Sequence, residues 1–221
     1  MSHHHHRAPH AAASSPPVAA PPVSRLAQLK ARPPRPGEAS FYFYDAFFKN
    51  DAVKILPGEY FVYAEDLLIM TTLGSCIAAC LWDREAHIGG MNHFMLPEGG
   101  SASGRYGAYA MELLINEMLK LGATRLTLEA KVFGGGQVVE GMTTMNIGER
   151  NTDFVVDYLK AERIPIVSKD VLGPYPRKVC FLPASGKAMV KRLATAHADV
   201  IAPAPRAAIP ADAGAGTVDL F

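Results

Sequence analysis

The sequence predicts an α+β domain, a layered sheet-and-helix arrangement, on three observations. Between Phe41 and His93 the apolar residues fall into short runs, rich in β-branched and aromatic side chains and separated by turn residues. From Met111 the apolar spacing switches to a helical period, and a second helical stretch follows Asn151. The elements arrive as local hairpins rather than as regular strand–helix–strand alternation, which favours segregated layers over a doubly wound sheet.

The elements follow in order. FYFYDAFF (41–48) is dense in aromatics and needs a surface to pack against. Strands are expected at Glu59–Tyr63, Leu67–Thr71, Ile77–Trp82 and Ile88–His93, with turn or bulge punctuation from Asp83-Arg84-Glu85 and Gly89-Gly90. Met111, Leu114, Ile115, Met118 and Leu119 share one helix face, and Gly122 follows as a cap. Leu126, Leu128 and Ala130 alternate with Thr127 and Glu129, reading as a half-buried strand that ends at Gly134-Gly135-Gly136. A second helix is expected from Thr152 to about Arg163, capped by Asn151, and Ile164–Ser168 reads as a strand. Lys178–Leu182 and Lys187–Leu193 flank Pro183–Gly186 as a hairpin, with a short helix as the alternative for the second run.

Composition divides the 221-residue chain into three. Of its 17 prolines, eight lie in residues 1–40 and three from Pro203 onward. Residues 1–40 are therefore expected to be a disordered Pro/Ala-rich extension, with a tag-like MSHHHH at 1–6. Residues 41–195 are expected to form one domain, and 196–221 a disordered tail. Net charge is +1, and the middle carries no basic excess, which disfavours nucleic acid as a partner. No apolar run approaches the roughly 18–20 residues that cross a bilayer, so no membrane insertion is expected. Three cysteines are too few for a disulfide scaffold, which points to a reducing, cytoplasmic location.

Chemistry centres on Thr71-Thr72-Leu73-Gly74-Ser75-Cys76, a Gly-Ser turn leading into an apolar strand. There Cys76 is either a nucleophile held by a rigid strand or a small buried hydrophobe. His93 ends the next strand, and adjacent antiparallel strands could bring it beside Cys76, where an imidazole would serve as base. A structural histidine is the competing reading. Zinc at Cys76, Cys80, His87 and His93 is disfavoured, because C-x3-C within a strand lacks the usual ligand spacing. Cys76–Cys80 is too extended to bridge as a redox pair. The Gly134–Gly136 triplet lacks a nucleotide-binding pattern and reads as tight backbone near a site. Cys180 reads as structural, and Arg177-Lys178 as an exposed basic pair on a stiff loop. No cofactor or metal is expected.

TTLGSCIAACLWD (71–83) and IGGMNHFMLP (88–97) resemble the CheD family of chemoreceptor glutamine deamidases. The likeness extends through VKILPGEYFV (53–62), the stretch 104–136, NIGERN (146–151) and GPYPRKVCFLPASGKAMVKRL (173–193). It implies a fold similar to the catalytic domain of cytotoxic necrotizing factor toxins. It also implies a protein-glutamine glutaminase with a Cys–His–Thr triad: Cys76 as nucleophile, His93 as base, and Thr71, or failing it Thr72, orienting the imidazole. The implied partners are the cytoplasmic helices of methyl-accepting chemotaxis receptors. Tyr106, Arg177 and the Gly134–Gly136 loop are candidates for docking them. Some family members bind a chemotaxis phosphatase and raise its activity, so the alternative is a regulatory binding module.

Overall fold

The computed structural model describes residues 23–96, 100–137, 147–194 and 218–220. Strands β1 (Phe41–Asp45), β2 (Asn50–Lys54), β4 (Leu68–Leu73), β9 (Arg177–Leu182), β10 (Lys187–Arg192) and β11 (Val218–Leu220) form one sheet in the order β1-β2-β4-β9-β10-β11. A second sheet, β3-β6-β5-β7-β8, uses β3 (Tyr60–Tyr63), β6 (Ile88–Asn92), β5 (Ile77–Asp83), β7 (Leu128–Gly134) and β8 (Ile166–Val171). Each sheet is mixed: β2 runs parallel to β4, β7 parallel to β8, and the remaining pairs are antiparallel.

Period-2 alternation builds three layers. Along β5, Ala78 and Cys80 face the first sheet, where they meet Ile69, Val179 and Phe181. Ile77, Ala79 and Leu81 face the other way, against α2 (Gly100–Lys120) and α3 (Ile147–Ala161). The α2 residues at that contact, Met111, Leu114, Ile115 and Met118, are fully buried. β6 lies between these layers and must be slim. A Cβ at Gly90 would press into Val62 and Leu114, and one at Gly89 into Pro183 of the other sheet.

The structure corrects several expectations. The domain begins before Phe41: Ser24 caps α1 (Arg25–Lys30), Leu29 enters the core between the sheets, and Ala39 is buried. A lone leucine makes a weak apolar signal, and ion pairs supply the rest. Arg25 reaches Asp51 at 2.7 Å, and Arg35 reaches Glu117 at 3.0 Å. Val218–Leu220, expected within a disordered tail, pairs along β10 as an edge strand. The tag-like 1–6 and the rest of both expected disordered ends lie outside the described residues. The strand expected from Leu126 starts at Leu128, because Arg125–Thr127 forms a 3-10 turn that leaves Leu126 exposed. α3 begins at Ile147, so Asn151 lies inside the helix and does not cap it. The segment 178–193 is the β9–β10 hairpin. Arg177 is not exposed: its side chain is fully buried, held by Asp170 at 2.9 Å, and its guanidinium lies over the Tyr175 ring.

Candidate active site

Links between the two sheets gather near one end of the sandwich. Ile55–Glu59 links β2 to β3, and Gly74–Cys76 links β4 to β5. Thr71 sits on the face of β4 shared with Ile69 and Leu73, which line the core between the sheets. Thr72 alternates to the opposite face and is exposed.

His93 follows β6, and the Ile55–Glu59 crossover grips its backbone. Its N–H donates to the Glu59 carbonyl at 2.9 Å, and its carbonyl accepts from Gly58 at 2.7 Å. Gly58 takes φ +88°, a region open to glycine and strained for other residues. The imidazole is 3 % exposed, and its Nδ1 lies 2.8 Å from Thr71 Oγ1. That hydroxyl donates to the Ile55 carbonyl at 2.9 Å, so its lone pairs are what it turns to the ring. Nδ1 therefore carries the proton and Nε2 holds the lone pair. Nε2 is buried and has no hydrogen-bond partner among the described residues.

Cys76 is half-buried, one residue before Ile77. Ile77 and Phe94 form an antiparallel bridge, exchanging two backbone hydrogen bonds of 2.9 Å each. Cys76 and His93, each preceding a bridge partner, stand diagonally across it with their side chains toward the first sheet. Such diagonals separate Cα atoms by about 7–8 Å, within reach of two side chains that lean together. Around them Ser75 is half-exposed and Met95 exposed, and Tyr106 lies partly exposed beside the Gly58 turn.

The Gly134–Gly136 stretch braces the Gly74–Cys76 turn. Gly135 N–H donates to the Cys76 carbonyl and Gly136 N–H to the Gly74 carbonyl, each at 2.8 Å. A Cβ at Gly134 would strike the Cys76 carbonyl oxygen. Asn151 adds two bonds: its Nδ2 donates to the Ser75 carbonyl at 2.8 Å, and its Oδ1 accepts from Leu96 N–H at 3.0 Å. Sequence reasoning missed this residue, because a polar side chain near a helix start is read first as a cap. Its place in NIGERN was the available signal.

Burial sets the protonation states. It pulls the His93 imidazole down to about 4, with the Ile55 carbonyl opposing. It pushes the Cys76 thiol up, with the cysteine's own backbone amide opposing. Near neutral pH the thiol and the imidazole are therefore both uncharged. Cys80 and Cys180 are buried, with thiols pushed up further, and face core rather than solvent. Among the described residues no group of three or more His, Cys, Asp or Glu gathers as a metal site. A cavity of about 460 Å³ is lined by the N-terminal arm and α2, including Arg32, Arg35 and Glu117, and touches none of the residues above.

The class defined here is an α+β domain that sets a cysteine and a base-competent histidine at the join of two sheets. Residues 95–192 match the family model described as CheD chemotactic sensory transduction. A protein of Albidiferax ferrireducens, "Probable chemoreceptor glutamine deamidase CheD 1", is 60% identical over 90% of this chain and 88% of its own. "Probable chemoreceptor glutamine deamidase CheD" of Thiobacillus denitrificans is 57% identical over 70% of this chain and 80% of its own. A Shewanella oneidensis relative of the same name as the first is 54% identical over 72% of this chain and 81% of its own. The chain belongs to the CheD family. Among solved structures, Bacillus licheniformis hypothetical protein YfiH aligns over 52% of this chain and 51% of its own, at 11% identity and a TM-score of 0.35, too slight a likeness to argue from.

Proposed function

We propose that this protein is an enzyme that hydrolyses glutamine side chains of chemotaxis receptors to glutamate, with Cys76 as nucleophile, His93 as base and Thr71 orienting the imidazole. Chemoreceptor deamidation is the activity for which relatives that match most of this chain are named. The mechanism rests on the unpartnered, buried Nε2 of His93, whose Nδ1–H is held by Thr71.

The steps follow from the groups. Both partners rest neutral, so the thiol proton passes to His93 Nε2 as Sγ adds to the carboxamide carbon. Negative charge gathers on the amide oxygen, where the Cys76 backbone N–H donates. His93 returns the proton to the amide nitrogen, ammonia leaves, and a γ-glutamyl thioester remains. Water, deprotonated by the same Nε2, opens the thioester to glutamate and restores the thiol. The half-exposed cysteine suits a glutamine presented by a receptor's cytoplasmic helix.

The test is ammonia release from a receptor cytoplasmic fragment, with a mass gain of about one unit at a glutamine, the difference between NH2 and OH. Wild type should give both and Cys76→Ala neither. Turnover by Cys76→Ala would refute the mechanism. Binding to a chemotaxis phosphatase without turnover by wild type would establish the regulatory module instead.

A further inference from the structure

We propose that Asn151 is a positioning residue of the reaction: by gripping the Ser75 carbonyl and the Leu96 N–H together, it aims the Cys76 backbone N–H at the developing oxyanion. The inference rests on the thiol mechanism above and adds a residue that this mechanism does not use.

The nucleophile turn has three consecutive carbonyls, and all are held. Backbone N–H groups of Gly136 and Gly135 take those of Gly74 and Cys76, and Asn151 takes that of Ser75. Among the described residues, Asn151 is the one side chain in this set. The Ser75 carbonyl and the Cys76 N–H belong to one planar trans peptide and point in opposite directions. Fixing the first therefore fixes the second. That N–H also opposes the rise that burial imposes on the Cys76 thiol, which is consistent with its lying on the sulfur's side of the turn.

The other end of the carboxamide holds the histidine strand. Leu96 N–H reaches Asn151 Oδ1, and the Leu96 carbonyl accepts from Arg150 Nη2 at 3.0 Å. One fully buried side chain thus ties the turn before Ile77 to the segment after Phe94, on either side of the bridge that sets Cys76 against His93. The task demands an amide. The Ser75 carbonyl can only accept and the Leu96 N–H can only donate, so a carboxylate serves one partner and an alkyl group serves neither. The helix is seated closely enough to hold this geometry, since a Cβ at Gly148 would strike the Gly135 carbonyl.

Two reagents separate oxyanion alignment from general support. p-Nitrophenyl acetate acylates a thiol through an oxyanion: the Sγ–carbonyl carbon bond forms and the carbon–oxygen bond to p-nitrophenolate breaks. The thiol proton passes to His93 Nε2 and then to solvent. Iodoacetamide alkylates the same sulfur by displacing iodide, with no oxyanion. In Asn151→Asp, acylation of Cys76 should fall about 10- to 100-fold while alkylation stays within about twofold of wild type. Asn151→Ala provides the same comparison should the aspartate variant fold poorly. Deamidation should lose kcat with KM unchanged. Equal losses in acylation and alkylation, or no loss in either, would overturn the inference. Because both reagents are small, the result stands whether or not wild type acts on a receptor, so its failure and that of the receptor reading are separable.

Discussion

Thr71 lies on β4 of one sheet and His93 directly follows β6 of the other, yet Thr71 Oγ1 is 2.8 Å from His93 Nδ1, inside the sandwich. The bond makes the ring's tautomer a property of how the sheets are packed. Thr71→Val keeps the shape but strands Nδ1–H and the Ile55 carbonyl without their buried partner. Turnover should fall about 10- to 100-fold through misorientation of the base. Thr71→Ser should recover much of it. Thr72→Val, on the exposed outer face, should leave turnover unchanged. Steady-state kinetics on the three folded variants checks this, and a collapse with Thr72→Val alone would transfer the role.

Burial of His93 predicts a pH dependence of stability. The folded imidazole titrates near 4, against about 6.5 when exposed. Between those values the unfolded chain binds a proton that the folded protein does not, so unfolding grows easier as pH falls. Stability from this group is complete above about 6.5 and is lost toward 4. From pH 7.5 to 5 the loss should be about 2 kcal/mol beyond that shown by His93→Gln. Urea midpoints of both proteins at the two pH values measure the difference. If the proposed mechanism holds, with His93 acting as a neutral base, the acid limb of kcat/KM should also lie nearer 4 than 6.5.

These dependences show how much could be read in advance. Cys76, His93 and the helical face Met111–Met118 were legible, because residue type and local period carry them. The pairing of Thr71 with His93 came only through the family resemblance, which left Thr72 open, since it depends on β4 and β6 joining different sheets, a non-local arrangement that no short window records. The arm at 23–40 escaped notice because it docks through Leu29 and ion pairs rather than an apolar stripe. Arg177 looked solvated because a charged residue after Tyr-Pro usually is. The carboxylate, carbonyls and aromatic ring that hold it lie only two to seven residues upstream, in β8 and the turn after it, but no helical or alternating period marks them.

Gly134→Ala should damage the domain out of proportion to one methyl group. Gly134 has φ +111°, and its Cβ would run into the Cys76 carbonyl oxygen. The backbone strain alone costs on the order of 1–3 kcal/mol. Relief of the collision must displace the Gly74–Cys76 turn. Thermal unfolding should shift down by several degrees, on the order of 5 °C for a domain of this size. The surviving folded fraction should deamidate more slowly than wild type. Unchanged melting and turnover would mean that the turn yields at no cost.

Arg177 supplies the last prediction, because its burial separates a structural role from the docking role its sequence position suggests. Its side chain is 0% exposed; Nη2 donates to Asp170 at 2.9 Å and to the Leu172 carbonyl, and Nη1 donates to the Tyr175 carbonyl at 3.2 Å. Burial opposes ionisation of Asp170, but hydrogen bonds from Arg177 and Arg192 outweigh it and hold the carboxyl below its ordinary value. Arg177→Leu removes the buried cation and leaves Asp170 to Arg192 alone, at 3.3 Å. Breaking one side of such a pair costs about 3–5 kcal/mol, which urea unfolding at pH 7 would register directly. The depressed Asp170 also stabilises the fold above its unfolded value of about 3.8, and that contribution is lost as pH falls through the lower folded value. Asp170→Asn should therefore lose less stability than wild type between pH 5 and pH 3. A docking residue would behave otherwise: Arg177→Leu would keep its urea midpoint and raise KM for the receptor fragment, and that outcome would return Arg177 to the binding surface.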